Sequence, residues 1–206
     1  MDIKQLYNPV WKRSDNLRDP SVFKGSDGYH LFYSRYSNND WTKPENWSVA
    51  HVFTKDFIHF EDDRDISAKG FASPGDVIRW SDKYILPYQS YPDVPTMLCY
   101  SISDNLINWS EPVYFLEEAM DLPWNQAKRV IDPTFVADGE RLHCFFVGTD
   151  RLHYKSPTNL VGHAYTEDPQ MKKWIITTVD SPLIGACDEA PDGAENVTVF
   201  NNGREW

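Results

Sequence analysis

Cysteine is scarce in this 206-residue chain: Cys99, Cys144 and Cys187 lie far apart, with no CxxC pair. So sparse and odd a set argues against a disulfide framework and against a structural zinc site. Basic residues are the minority, 20 against 31 acids, for a formal net charge of −11. Nucleic acid and anionic membrane, which both need a cationic footprint, are therefore poor partners. No apolar run approaches the length of a membrane span. The opening MDIKQLYNPVWKRSDN has no apolar leader core, so the expected location is cytoplasmic, or exported if a leader was removed. Long helical periodicity is also missing. Only FLEEAMDLPWNQAK (115–128) approaches it, and Pro123 interrupts that stretch. No Pro/Gly/Ser-rich linker divides the sequence, so one domain over residues 1–206 is expected, large enough to bury roughly 70% of its unfolded surface.

What the chain does have is repetition. Four segments share an acid, a hydrophobic stretch, a turn and an aromatic-rich alternating strand. They begin at Asp19, Asp76, Asp132 and Glu195, spaced 57, 56 and 63 residues apart. Each carries hairpin chemistry: Ser26-Asp27-Gly28, Ser81-Asp82-Lys83, Asp138-Gly139-Glu140 and Asn201-Asn202-Gly203. A second element recurs between the acids. It is a short alternating strand, a Ser/Thr–Asp turn (Thr54 to Asp56, Ser101 to Asp104, Thr166 to Asp168), then Phe60, Trp109 or Trp174 opening another strand. Each unit therefore supplies about four antiparallel strands.

Four-stranded units at this period predict an all-β fold, a β-propeller whose blades begin near residues 18, 75, 131 and 194. From Arg18 to Trp206 there is room for about 3.3 units. An open arc of about three blades is expected, or a partner that closes the ring, with the open blade edge inviting self-association. In a propeller the innermost strands begin at one mouth, so the four leading acids should gather around an axial pocket. Carboxylates so gathered can serve as general acid, general base and pKa tuner, because burial and like charge push their pKa values apart. At any one position the alternative is structural: Asp-Pro is a common turn opener, and Asp76 follows Pro74-Gly75, where a turn role is equally natural.

These residues resemble glycoside hydrolase family 43 and its five-bladed propeller relatives, the clan that includes families 32 and 117. Leu17-Arg18-Asp19-Pro20-Ser21-Val22 matches the family's (R)DPS-like motif, and Ile131-Asp132-Pro133-Thr134-Phe135 its IDP-x-F motif. Gly193-Ala194-Glu195-Asn196-Val197 stands where the family has an EGP-like motif, eight residues before Gly203. Ala72-Ser73-Pro74-Gly75-Asp76-Val77 is similar to a WAPDV motif that has lost its Trp and gained a Gly. The resemblance implies an inverting glycosidase with Asp19 as general base, Glu195 as general acid and Asp132 as pKa tuner, Glu189 competing with Glu195 for the acid role. Arabinosides or xylosides of plant-type oligo- and polysaccharides are the implied substrates. No cofactor is required, an axial calcium being associated with the completed propeller.

Sugar-binding candidates are the aromatics near the mouth, Trp41, Trp47, Trp80, Tyr91 and Trp124, of which Trp80 and Trp124 stand out by position. Arg18, Arg129 and Asp76 are further substrate-binding candidates, the arginines being equally suited to a structural salt bridge. The six histidines form no ligand-spaced cluster and read as strand residues. Two rival readings remain open: a glycoside phosphorylase, which needs cations such as Arg18, Lys128 and Arg129 near the base, and a non-catalytic carbohydrate-binding propeller.

Overall fold

The structure, a computed structural model, describes residues 9–38, 40–92, 95–150, 158–185 and 193–200. Among these residues there are thirteen strands, two short 3₁₀ turns and no α-helix. The 115–128 stretch forms one of those turns, Glu117–Asp121, and ends before Pro123.

The strands form three antiparallel sheets in chain order. The first runs β1 (Asn16–Lys24), β2 (Tyr29–Tyr36), β3 (Trp47–Thr54), β4 (Phe60–Asp65). In the second, β5 (Phe71–Ala72) and β6 (Ile78–Trp80) both pair with β7 (Lys83–Ser90), followed by β8 (Leu98–Ser103) and β9 (Val113–Tyr114). The third runs β10 (Ile131–Ala137), β11 (Leu142–Asp150), β12 (Thr158–Thr166), β13 (Ile175–Ile176). The fold is all-β, three propeller blades placed side by side.

Turn chemistry repeats from blade to blade. The Thr54 hydroxyl accepts the Asp56 and Phe57 amides, and Asp56 Oδ1 those of Ile58 and His59. In the third blade the Thr166 hydroxyl accepts the Asp168 amide, residue 169 being a proline without an N–H, and the Asp168 carboxylate accepts the Gln170 and Lys172 amides. In the second blade the pair is Ser103 and Asn105, shifted from the expected Ser101 and Asp104. Ser101 is occupied by Tyr88 and the Ser110 carbonyl instead. The aromatic that follows closes the turn: Trp109 Nε1 donates to Leu106 O and Trp174 Nε1 to Met171 O.

Period-2 alternation sends successive side chains to opposite faces, so the middle sheet is buried on both. Leu86, Tyr88 and Cys99 meet Phe32 and Val49 of the first blade. Ile85, Leu98 and Tyr100 meet Phe135, Cys144, Phe146 and Leu160 of the third. This two-sided packing aligns the first strands of all three blades. The outward face of the third blade carries a mostly apolar hollow of about 270 Å³ lined by Val136, His143, Phe145, His163 and Leu183.

Candidate active site

The innermost strands do not run straight. β1 gains one residue over β2 between Arg18 and Ser21, and β10 gains one over β11 between Ile131 and Thr134. Each bulge is an Asp-Pro pair, in which Pro supplies no N–H for the ladder. Asp19 (φ 52°) and Asp132 (φ 51°) hold the left-handed conformation there, one that Asp and Asn tolerate best among side-chain-bearing residues. In the second blade the break is larger, leaving two extra residues between Ala72 and Ile78, and Ser73 (φ 52°) takes the left-handed position. After the third blade it is Asn196 (φ 53°).

The repeat inferred from the acids is therefore offset. The structurally equivalent residues are Asp19, Ser73, Asp132 and Asn196; Asp76 lies three positions after its counterpart and Glu195 one before. Spacing of acids alone does not reveal this, because the extra residues around Gly75 displace the carboxylate along the chain. Glycine is required at 75: a Cβ would lie 2.0 Å from Pro133 O of the neighbouring blade.

Those four residues form a neck. Below it is a channel of about 320 Å³, lined also by Pro20, Ser21, Asp76, Thr134 and Val197. Above it a smaller, more polar mouth of about 180 Å³ is lined also by Arg18, Trp47, Gln89, Tyr91, Arg129 and Glu195. Asp19, Ser73, Asp132 and Asn196 line both. The structure thus brings Asp19, Asp132, Glu195, Arg18 and Arg129 to one cavity and places Asp76 in the channel, where its Oδ1 accepts the Ser21 hydroxyl at 3.1 Å. Glu189 lies outside the described residues, as do the Asn201-Asn202-Gly203 turn, Cys187 and His153.

Each carboxylate is held differently. Asp19 Oδ2 accepts the Ser34 hydroxyl at 2.7 Å, and Ser34 in turn accepts the Ser73 amide, also at 2.7 Å. The Asp132 amide donates to Gln89 Oε1 at 2.5 Å. Burial pushes the Asp132 carboxyl up to about 6, and the negative charges of Glu195 and Asp19 add to this. Arg129 and the Asn196 amide oppose it. Glu195 Oε2 accepts the Asn159 side-chain amide at 2.8 Å. Among the described residues Arg18 and Arg129 make no ion pair, and Arg129 Nε is buried without a partner. Among the described residues no three His, Cys, Asp or Glu side chains converge to hold a cation.

Three sugar-binding expectations need correction. Trp80 is buried at the far, hairpin end of β6, packed with Ile85, Phe135 and Leu142. Trp124 is buried beneath the third blade, its Nε1 donating to Thr178 O at 2.7 Å, its ring against Gly148 and Gly162. Both are core residues because the adjacent blade covers them. Trp41 is exposed, and Trp47 is a core residue at 1% exposure, its ring edge-on behind the partly exposed Tyr91 at 4.7 Å; Tyr91 is the aromatic face of the mouth.

The histidines hold an arrangement not anticipated from their spacing. His30 Nδ1 and His51 Nε2 lie 2.9 Å apart, with Asp27 beyond His30 Nε2. His143 Nδ1 and His163 Nε2 lie 3.0 Å apart, with Asp138 beyond His143 Nε2. The signal was the strand register: His30 and His143 each stand two residues before a Phe that pairs with the second histidine, Phe32 with His51 and Phe145 with His163.

No family profile matches the chain, and no curated protein matches it in sequence. Solved structures do. A family 117 glycoside hydrolase of the marine bacterium Zobellia galactanivorans superposes with a TM-score of 0.62 at 14% identity, over 81% of this chain and 57% of its own. An endo-1,4-beta-xylanase of Bacteroides thetaiotaomicron gives 0.63 at 15% identity, over 90% and 61%. An alpha-L-arabinanase of Cellvibrio cellulosa, complexed with arabinohexaose, gives 0.59 at 11%, over 87% and 62%. The chain spans about three fifths of the length of each. At such identities the likeness is one of fold.

Proposed function

We propose that this chain carries the catalytic centre of an inverting glycoside hydrolase that cleaves O-glycosidic bonds of plant-type oligo- or polysaccharides, arabinosides or xylosides foremost. The observation that carries the reading is the convergence of Asp19, Asp132 and Glu195, from the first, third and fourth repeats, on one water-accessible cavity. Asp19, its orientation set by Ser34, takes a proton from the water that attacks the anomeric carbon. Glu195 gives its proton to the leaving oxygen as the C–O bond breaks. A pair used in this way stands roughly 6.5–9.5 Å apart, leaving room for the water.

Asp132 is the third carboxylate and the one withdrawn from water. Burial, with the negative charges of Glu195 and Asp19 beside it, disfavours ionisation of the Asp132 carboxyl. Tyr91, backed by the buried Trp47, offers an aromatic face for the apolar side of a sugar, and Arg18 and Arg129 offer N–H donors to its hydroxyls. Turnover of aryl α-L-arabinofuranosides and β-D-xylosides by the full chain, with Asp19→Ala as control, tests this. Turnover that survives in Asp19→Ala, or its absence for every glycoside tried, defeats it.

One observation favours a second reading, a glycoside phosphorylase: the unpaired guanidinium groups of Arg18 and Arg129 share the mouth with Asp19. Phosphate would then replace water as nucleophile. Turnover that depends on added phosphate and yields a sugar phosphate selects this reading; unchanged turnover in its absence removes it.

A further inference from the structure

Glu195 belongs to the short segment 193–200, beyond the last strand of the third blade, and its side chain is exposed. A general acid must nonetheless present one particular oxygen to the leaving group. The segment is fixed at two levels by a single residue of β12. Asn159 O accepts the Ala194 amide at 2.9 Å, and Asn159 Nδ2 donates to Glu195 Oε2 at 2.8 Å. The close approach also dictates glycine at 193: φ is +82°, and a Cβ there would lie 1.7 Å from Asn159 O.

The carboxamide of Asn159 is itself held. The buried Thr149 hydroxyl donates to Asn159 Oδ1 at 2.9 Å, which leaves the NH₂ end facing Glu195. The Thr149 amide donates to Asn125 Oδ1 at 3.0 Å. Asn125 is 1% exposed, and its own NH₂ is engaged by the carbonyls of Ala119 and Arg129. A hydrogen-bonded series thus runs from the 119–129 loop through Asn125, Thr149 and Asn159 to Glu195.

We propose that Thr149 and Asn159 are positioning residues for Glu195, an inference that rests on its reading as the acid. An N–H on Oε2 fixes that oxygen as the acceptor, so the proton resides on Oε1. In the reaction the Oε1–H bond breaks, the proton passes to the glycosidic oxygen, and that oxygen keeps the electron pair of the broken C–O bond. The water that attacks the anomeric carbon gives its proton to Asp19. Without the Thr149 hydroxyl the amide of Asn159 can turn over, placing Oδ1 against Oε2, and the proton moves to the wrong oxygen.

Protonation matters in proportion to the basicity of the leaving group. The test compares phenyl and 2,4-dinitrophenyl α-L-arabinofuranosides with the full chain, Asn159→Ala, Thr149→Val and Thr149→Ser. Asn159→Ala is expected to lower kcat on the phenyl glycoside on the order of 10²-fold, the scale of a misplaced catalytic group, and to leave the dinitrophenyl glycoside within about threefold. Thr149→Val should follow the same pattern to a smaller degree, and Thr149→Ser should restore most of the rate. Equal losses on both substrates, or none, overturn the proposal. Crystal structures of Asn159→Ala and Thr149→Val decide it independently of activity: the Glu195 carboxyl is expected to leave its place, and an unmoved carboxyl overturns the proposal. If the unaltered chain turns over no glycoside, the hydrolase reading fails, while those structures still decide whether the clamp exists.

Discussion

The first and third blades are built from the same parts in different surroundings. Each opens on an Asp-Pro bulge with a left-handed Asp, and each carries an Asp–His–His series across its second and third strands. In the first blade the series is roofed by the second: Phe32 and His51 are 0% exposed, and Trp109 stands edge-on to Phe32 at 5.5 Å. In the third, Phe145, His143 and His163 line an open hollow. At the bulge, Asp19 accepts a serine hydroxyl, whereas Asp132 is withdrawn from water and faces two other carboxylates. Equal motifs thus acquire unequal chemistry from what packs over them.

The two bulge acids should separate most sharply in activity. Asp19→Ala, which removes the proposed base, is expected to lower kcat about 10³-fold in the steady state. Asp132→Asn should cost less, on the order of tenfold, and should move the basic limb of the pH–rate profile to lower pH, because a neighbouring negative charge that retains the proton is lost. An unmoved limb would break the assigned difference in roles.

Removing the ring at Phe32 and at Phe145 compares the two roofs. Phe32→Ala should destabilise by about 3–5 kcal/mol in urea denaturation, since a fully enclosed cavity is left behind. Phe145→Ala should cost about 1 kcal/mol, because its ring is already partly in water. Comparable losses would mean that the hollow is filled in solution.

Acid should distinguish the histidines next. Burial lowers the His51 pKa to about 3, helped by the charges of His30 and Arg64. Burial, helped by His143, lowers that of His163 to about 4. Both folded values lie below the unfolded value of about 6.5, so each contributes stability that is present above that pH and is lost as the pH falls. The loss runs from about 6.5 towards 3 for His51, and ends sooner, near 4, for His163. His51→Gln and His163→Gln should therefore flatten the fall of the urea midpoint alike between pH 6.5 and about 4, and only His51→Gln should flatten it further between about 4 and 3. The smallest effect belongs to Thr177, whose hydroxyl lies 2.7 Å from His163 Nδ1, while His51 Nδ1 has no partner. Thr177→Val should cost about 0.5–1 kcal/mol, measured in the same way.

Strand alternation, the hairpin dipeptides and the two Asp-Pro motifs were legible in the amino-acid order, because backbone geometry ties each to a local periodicity or turn type. They suffice for an all-β chain of repeated four-stranded units and for Asp19 and Asp132 as its leading acids. Tertiary structure decided the remainder. Ser73 rather than Asp76 fills the equivalent bulge, because two inserted residues slide the carboxylate out of register. Trp80 and Trp124 belong to the core, because blades sharing a face cover them. The histidine pairs and the link from Asn125 to Glu195 join strands whose closeness no spacing in the sequence records. Local order specifies which conformations each segment prefers; only packing between segments specifies which side chains meet and which of them lose contact with water.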